Sequence, residues 1–431
     1  AVGALDPART RAGGSPPEPG WTPGTPAASA RSEPRGDWPQ WLGPNRDAIS
    51  PERGADRLVL PPALVWSNFV GAGCSSVVVS HGRAFTLGHA RGDHERGTDK
   101  VYCLETRTGA RLWQHSYDCR TYFSQDVRFD GPRSTPTVDG DRVFTLSLEG
   151  YLFCLDTAGG ATVWSRHLPR DFDGRLPVYG FCCSPLVYQD LVLLEVNAPD
   201  CSHLALDKAT GAVVWKQRGG QVTCGSPVLT QIDGAHCAVF MGGGTILGVE
   251  PRTGRELWRH GTWGHAWMGQ VVWSNYVFVA NASLPRGCGL LRLEQGRPRV
   301  VWEDKGRKFQ TLHSNALVHA GHIYGIDSTG TDLQYNDNRR SRLKCLALET
   351  GEEKWVEEGF GWSNLIFFDG KLVILRQVGE LVVADASPRA YHELARHRVL
   401  GGRSWTVPAL AGGRLYLRNN TGAIICLQFV K

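Results

Sequence analysis

Two adjacent thiols, Cys182 and Cys183, stand directly before Ser184-Pro185 and carry the most distinctive chemistry in the chain. Paired thiols can oxidise, or they can serve as small core hydrophobes. A second group mixes rings with polar heads: Tyr122, Arg133, Tyr179, His265, Trp267, Gln270, His313, Asn315, Trp362, Asn364 and Trp405. Such a mixture suits a ligand mouth, where apolar walls bury the ligand and a few polar groups orient it. It also suits a channel lining that satisfies backbone groups and water.

Two longer stretches carry metal-capable side chains. Residues 88–100 hold His89, Asp93, His94 and Glu95, and residues 327–342 hold Asp327, Asp332, Asn336, Asp337 and Asn338. The second lacks the fixed Asp/Asn-Gly-Glu order of a calcium loop, so both are read as solvated insertions and no metal site is expected. No Cys-x-x-Cys pair, phosphate-binding glycine loop, nucleophile elbow or His-Glu-x-x-His is present. Twelve cysteines would allow disulfides in an exported chain, but spacing does not say which. Cys103, Cys154, Cys345 and Cys426 occupy equivalent positions and read as core residues, while Cys74, Cys182 and Cys224 recur near the starts of inner strands.

The elements that position these residues come from a repeat. An apolar strand, a turn ending in Thr-Gly or its equivalent, and then a tryptophan recur as Leu104–Gly109 before Trp113, Leu155–Gly160 before Trp164, and Leu206–Gly211 before Trp215. Val249–Gly254 precedes Trp258, Leu346–Gly351 precedes Trp355, and a degraded copy at Leu293–Gly296 precedes Trp302. A further copy near Asp385 has lost both residues. Glycine supplies the positive φ of the turn without steric cost. An indole on the next strand can bury roughly 150–250 Å² against a neighbouring sheet, which makes a tryptophan docking element for each blade.

A second tight turn precedes each copy, centred on Gly82, Gly140, Asp190, Gly234, Asn275, Gly321, Gly370 and Gly413. The eight turns are spaced by about 47 residues, the length of a four-stranded propeller blade. The expected fold is therefore all-β: an eight-bladed β-propeller of four-stranded antiparallel blades over residues 37–431. The last copy ends without its Trp-bearing strand, and one lies spare at Pro62–Trp66. That N-terminal strand, with Trp66, is expected to complete the last blade.

Residues 1–36, rich in Pro, Ala, Gly and Ser, read as a disordered linker. The chain starts at Ala1, and an upstream secretion signal or membrane tether would fit. The net charge of +5 and the short cluster at Arg339, Arg340, Arg342 and Lys344 point away from nucleic acid. No apolar run approaches the roughly 20 residues of a membrane-spanning helix.

The Leu-Asp-x-x-Thr-Gly-x-x-x-Trp pattern resembles the pyrroloquinoline-quinone-like (PQQ-like) propeller repeat over residues 37–431. The chain is similar to the exported, stand-alone propellers of planctomycete-type bacteria. Those open on a segment like Asp37-Trp38-Pro39-Gln40-Trp41-Leu42-Gly43-Pro44-Asn45-Arg46-Asp47 and carry a stretch like Asp130–Val143. The resemblance implies export to the periplasm or cell envelope and two candidate functions. One is a scaffold that binds an envelope protein or small ligand at one face of the channel, without cofactor, as the propeller lipoprotein of the outer-membrane assembly machine binds partners. The alternative is a PQQ-dependent alcohol or sugar dehydrogenase with calcium. Several such enzymes carry a vicinal disulfide over the quinone, which would assign that place to Cys182-Cys183.

Overall fold

The computed structural model describes residues 36–92, 96–120, 131–177, 179–220, 222, 224–262, 270–281, 287–306, 308–311, 314–328 and 341–431. Their strands form eight sheets, each built on four antiparallel strands, A to D, in chain order in blades 1 to 7, with a parallel fifth strand on the sheet of blade 7. The A strands of blades 1 to 3 are Val78–Ser80, Thr137–Asp139 and Leu186–Tyr188, and those of blades 4 to 6 are Val228–Ile232, Gln270–Trp273 and Ala316–His319. Those of blades 7 and 8 are Asn364–Phe368 and Ala409–Ala411. A strands touch between blades 1 and 2, 2 and 3, 4 and 5, 5 and 6, 6 and 7, and 8 and 1, and hydrogen bonds join blades 3 to 4 and 7 to 8, so the blades close into a ring.

Burial explains the composition of the strands. A B strand such as Leu191–Glu195 is buried along its whole length because neighbouring blades cover both faces. A D strand such as Glu393–Arg398 alternates between half-buried and exposed positions, because it lies at the rim. Five A–B turns use two successive positive-φ residues: His81-Gly82, Asp233-Gly234, Ala320-Gly321, Asp369-Gly370 and Gly412-Gly413. That is the requirement of a two-residue hairpin matched to strand twist.

The expected closure is present. Leu58–Phe69 pairs antiparallel with Ala423–Val430 and supplies the D strand of blade 8, with Trp66 opposite Cys426. Trp66, Trp113, Trp164, Trp215, Trp302 and Trp355 each donate an indole N–H to a C–D turn carbonyl of the next blade, over 2.7–2.9 Å. Each of the first five rings lies against a positive-φ turn glycine: Gly109, Gly160, Gly211, Gly254 and Gly351, respectively. A Cβ on any of them would fall 2.5–2.8 Å from the indole.

Trp258 departs from this pattern. The next blade turns through Gln295-Gly296 alone, and the ring instead covers Gly248 of its own blade. The core cysteines belong to the same device. Cys103, Cys154 and Cys345 are fully buried opposite Trp113, Trp164 and Trp355, where a small side chain makes room for the indole. Burial pushes the Cys103 and Cys154 thiols up to about 12.

Two expectations need correction. The stretch 88–100 is not a solvated insertion: strands Arg83–Arg91 and Arg96–Glu105 run on as one long hairpin that buries His89 and Asp99. Asp93, His94 and Glu95 lie outside the described residues. Asp327 is likewise buried, at the end of a strand, because Lys344 and Arg342 neutralise it. Asp332, Asn336, Asp337 and Asn338 lie outside the described residues.

Candidate functional site

The two ends of the ring differ. At the end of the A–B turns, residues 37–57 run across the inner strands as a strap. Trp38 pairs with Val79 of blade 1, and Pro39 O accepts from Val138 N of blade 2. Ile49–Ser50 adds a parallel strand to Phe367–Phe368 of blade 7. The Glu52 carboxylate accepts the amides of Gly412 and Gly413 in blade 8, and Asp369 accepts those of Gly54 and Ala55.

From the strap, Arg46 reaches into the ring. Its guanidinium donates to Ser184 O, Pro185 O, Pro227 O and Thr137 Oγ1 of blades 2 to 4. Burial lowers its pKa to about 9.

At the opposite end the A strands begin, and their amides have no strand partner on the inner side. An unpaired buried N–H is costly, and side chains of neighbouring blades supply the acceptors. Ser76 N donates to Thr135 Oγ1, Thr135 N to Ser184 Oγ, and Ser184 N to Ser226 Oγ. Asn315 N donates to Asn364 Oδ1, Asn364 Nδ2 to Trp405 O, and Val407 N to Ser76 Oγ. Five blade junctions are stitched in this way, and at that between blades 7 and 8 the side chain is the donor, to a carbonyl. Arg418, fully buried, ties blade 8 to Gly71 O, Ser75 O and Leu87 O of blade 1.

Two residues before this stitch, the same register position holds Cys74, Arg133, Cys182 and Cys224 in blades 1 to 4, and Trp405 in blade 8. The ring makes these copies neighbours. Cys182 Sγ lies 3.1 Å from Cys224 Sγ. Arg133 donates to Tyr179 O and lies over the Tyr179 ring, 5.8 Å from its centre. Tyr179 is 40% exposed.

The electrostatics couple these groups. A hydrogen bond from Cys224 and the Arg133 charge, against the cost of burial, bring Cys182 down to about 7. The bond to Cys182 and burial push Cys224 well above its ordinary value. Burial raises Cys74, against the pull of Arg133. Burial opposes the charge of Arg133, but the sulphurs of Cys182, Cys74 and Cys224 more than offset it.

The structure thus unites Arg133, Tyr179 and Cys182 from the residues singled out above. Cys183 parts from Cys182, with its S–H donating to Ser184 O within 3.6 Å. Both are free thiols. Asn315 and Asn364 are buried, and their amides join blades 6, 7 and 8. Trp362 and Trp405 pack ring to ring at 5.3 Å, with Arg403 over Trp405. Tyr122, His265, Trp267 and His313 lie outside the described residues, and Gln270 opens the A strand of blade 5. Sequence reading missed the strap and its Arg46, and missed Cys74 and Cys224 as neighbours of Arg133. The repeated place of Cys74, Arg133, Cys182 and Cys224 before the A strands was the available signal.

One group could hold a metal. His89 Nδ1, Asp99 Oδ1 and Cys119 Sγ lie within 4.8 Å of one another, all buried on blade 1. His89 Nδ1 is already 2.8 Å from Asp99 Oδ1, a hydrogen-bonding distance. A quinone with calcium needs converging carboxylate and amide oxygens. Among the described residues, the Asn315 and Asn364 amides are taken up between blades, Asp327 is held by Lys344, and the Cys182 and Cys183 sulphurs are turned apart. These five residues do not converge to hold that group.

Comparison with known proteins gives two sets of relatives. Residues 97–357 match the family model described as outer membrane protein assembly factor BamB. The chain is 20% identical to outer membrane protein assembly factor BamB of Yersinia pestis, over 84% of this chain and 88% of that protein. It is 26% identical to a quinoprotein ethanol dehydrogenase of Pseudomonas aeruginosa over 32% of this chain, and that match spans only 24% of the dehydrogenase. Among solved structures, BamB from Moraxella catarrhalis superposes with a TM-score of 0.59 at 17% identity, over 85% of this chain and 98% of that one. Quinohemoprotein alcohol dehydrogenase from Comamonas testosteroni superposes with a TM-score of 0.66 at 13% identity, over 91% and 80%. At these identities the solved structures speak to the fold alone.

Proposed function

From the premise that this chain belongs to the family described as outer membrane protein assembly factor BamB, we propose that it is an exported, non-catalytic scaffold. It binds an envelope protein, or a small ligand, at the end of the channel where the A strands begin. The asymmetry of the two ends is the observation that carries this reading. The chain's own strap lies across the A–B turn end, and Arg46 and Glu52 anchor it. The other end presents an exposed ring and a cation side by side, Tyr179 and Arg133, fixed on the lead-ins of two rigid blades. Tyrosine and arginine are enriched among the few residues that carry most of the energy of protein interfaces.

The test compares the two ends. Protein retained from envelope extract by the wild type should be lost with Arg133→Glu/Tyr179→Ala and kept with Asp141→Arg at the A–B turn end. Equal retention by both variants would overturn the proposal. In parallel, the protein is loaded with PQQ and calcium and offered alcohols or sugars with an artificial electron acceptor. No turnover is expected, and sustained acceptor reduction would put the dehydrogenase reading in its place.

A further inference from the structure

We propose that Cys182 and Cys224 form a redox-active pair that closes into a disulfide between blades 3 and 4 at the end of the channel where the A strands begin. The inference stands on the register of the ring and does not depend on the binding proposal. In an extended lead-in, successive side chains point to opposite sides. Cys182 and Cys183 therefore diverge, whereas Cys182 and Cys224 hold equivalent places in adjacent blades and face each other across the seam. Their sulphurs are 3.1 Å apart, about 1 Å more than a disulfide bond. Arg133 occupies the next place around the ring, with Cys74 beyond it, so three sulphurs surround one fixed cation. A guanidinium at that point favours thiolate over a bound metal ion.

The chemistry balances with a disulfide oxidant, RSSR. Cys224 is the more exposed of the two thiols and meets the oxidant. Its sulphur attacks RSSR, its proton passes along the Cys224–Cys182 hydrogen bond, and one RS⁻ departs. Cys182 then attacks the Cys224–SR mixed disulfide. The second sulphur leaves as RSH with that proton, and the intramolecular bond forms. Two electrons have gone to the oxidant, and the pair has become one disulfide.

The experiment uses the whole chain, fully reduced and then exposed to graded oxidised glutathione. Free thiols are blocked with N-ethylmaleimide at each step, and peptides are mapped by mass spectrometry. The first linkage expected joins the Cys182 and Cys224 peptides, with a loss of two hydrogens, while the core thiols Cys103, Cys154 and Cys345 stay unreacted until unfolding. The linkage should survive Cys183→Ser. Cys182→Ser should instead accumulate a glutathione adduct on Cys224, and Arg133→Gln should slow closure by an order of magnitude. A Cys182–Cys183 linkage, or both sulphurs blocked as free thiols after other cysteines have paired, would overturn the proposal.

Discussion

The seam between indole and turn glycine can be tested against an internal control. Gly160 and Gly296 both turn with positive φ, 76° and 72°. They differ in what faces them. A Cβ on Gly160 would lie 2.5 Å from Trp113 Cε3, whereas nothing approaches within 4 Å of one on Gly296. Alanine in the left-handed region costs about 1–2 kcal/mol. Reduced freedom of the unfolded chain returns about 0.4–1 kcal/mol. Gly296→Ala should therefore cost about 1 kcal/mol.

Gly160→Ala bears the same cost and must also displace the ring. Overpacking adds about 1–3 kcal/mol, and shifting the indole weakens its bond to Thr157 O, normally about 1 kcal/mol. The expected total is about 3–4 kcal/mol. Urea unfolding followed by tryptophan fluorescence measures both variants. In a propeller of this size each kcal/mol moves Tm by roughly 1 °C, so denaturant midpoints discriminate better than melting points. A double-mutant cycle isolates the cause. With Trp113→Leu in place there is no ring to displace, and Gly160→Ala should cost only about 1 kcal/mol, a coupling of about 2–3 kcal/mol. Equal losses at the two glycines, or a cycle with no coupling, would refute the seam as the reason glycine is required.

Other expectations concern the strap, the stitching and acid stability. Arg46→Met removes four contacts to blades 2–4 but also removes a charge whose burial, read from the shift to about 9, costs about 5 kcal/mol. Hydrogen bonds from a charged donor are each worth about 1.5–3 kcal/mol, so the net loss should be about 1–7 kcal/mol, with faster hydrogen exchange over residues 37–57. Asn364→Leu leaves the buried Asn315 N–H without its acceptor and should cost about 1–3 kcal/mol by denaturant titration. Burial lowers His203 to about 3, and neither ring nitrogen has a hydrogen-bond partner among the described residues. Its folded pKa lies below its unfolded one, so it subtracts stability progressively as pH falls from about 6.5 to about 3. His203→Leu should flatten that part of the stability–pH curve, and an unchanged slope would contradict the assignment.

Turn chemistry was legible in the residues because it is local. Leu-Asp-x-x-Thr-Gly encodes its own turn: Asp156 and Asp207 carboxylates accept amides two and three residues on, and the glycine takes the positive φ. Repetition then set the number of blades, and a missing last strand located Leu58–Phe69. Burial was less legible. His89 and Asp99 look like loop residues until strand pairing places them opposite one another, and Asp327 looks solvated until Lys344 arrives from the next strand of its blade. The strap was invisible for a related reason. Arg46 has no repeat copies, and its partners in the blades are a hydroxyl and carbonyls 91 to 181 residues away.

The pairing of Cys182 shows how a ring fold relocates chemistry. In a globular fold built once, a site is read from a motif or from residues converging from unrelated elements. In a ring of equivalent blades, one register position is copied at the same height and set beside its copies in the adjacent blades. A chemical group can then arise by substitution at a single register position in successive repeats, with no local motif at all. Cys74, Arg133, Cys182 and Cys224 are such a set: they are spread over 150 residues of chain, yet they occupy consecutive places around one ring. Adjacency along the chain works the other way, since an extended segment sends Cys182 and Cys183 to opposite sides. For this architecture, the residues to compare are those about one blade apart.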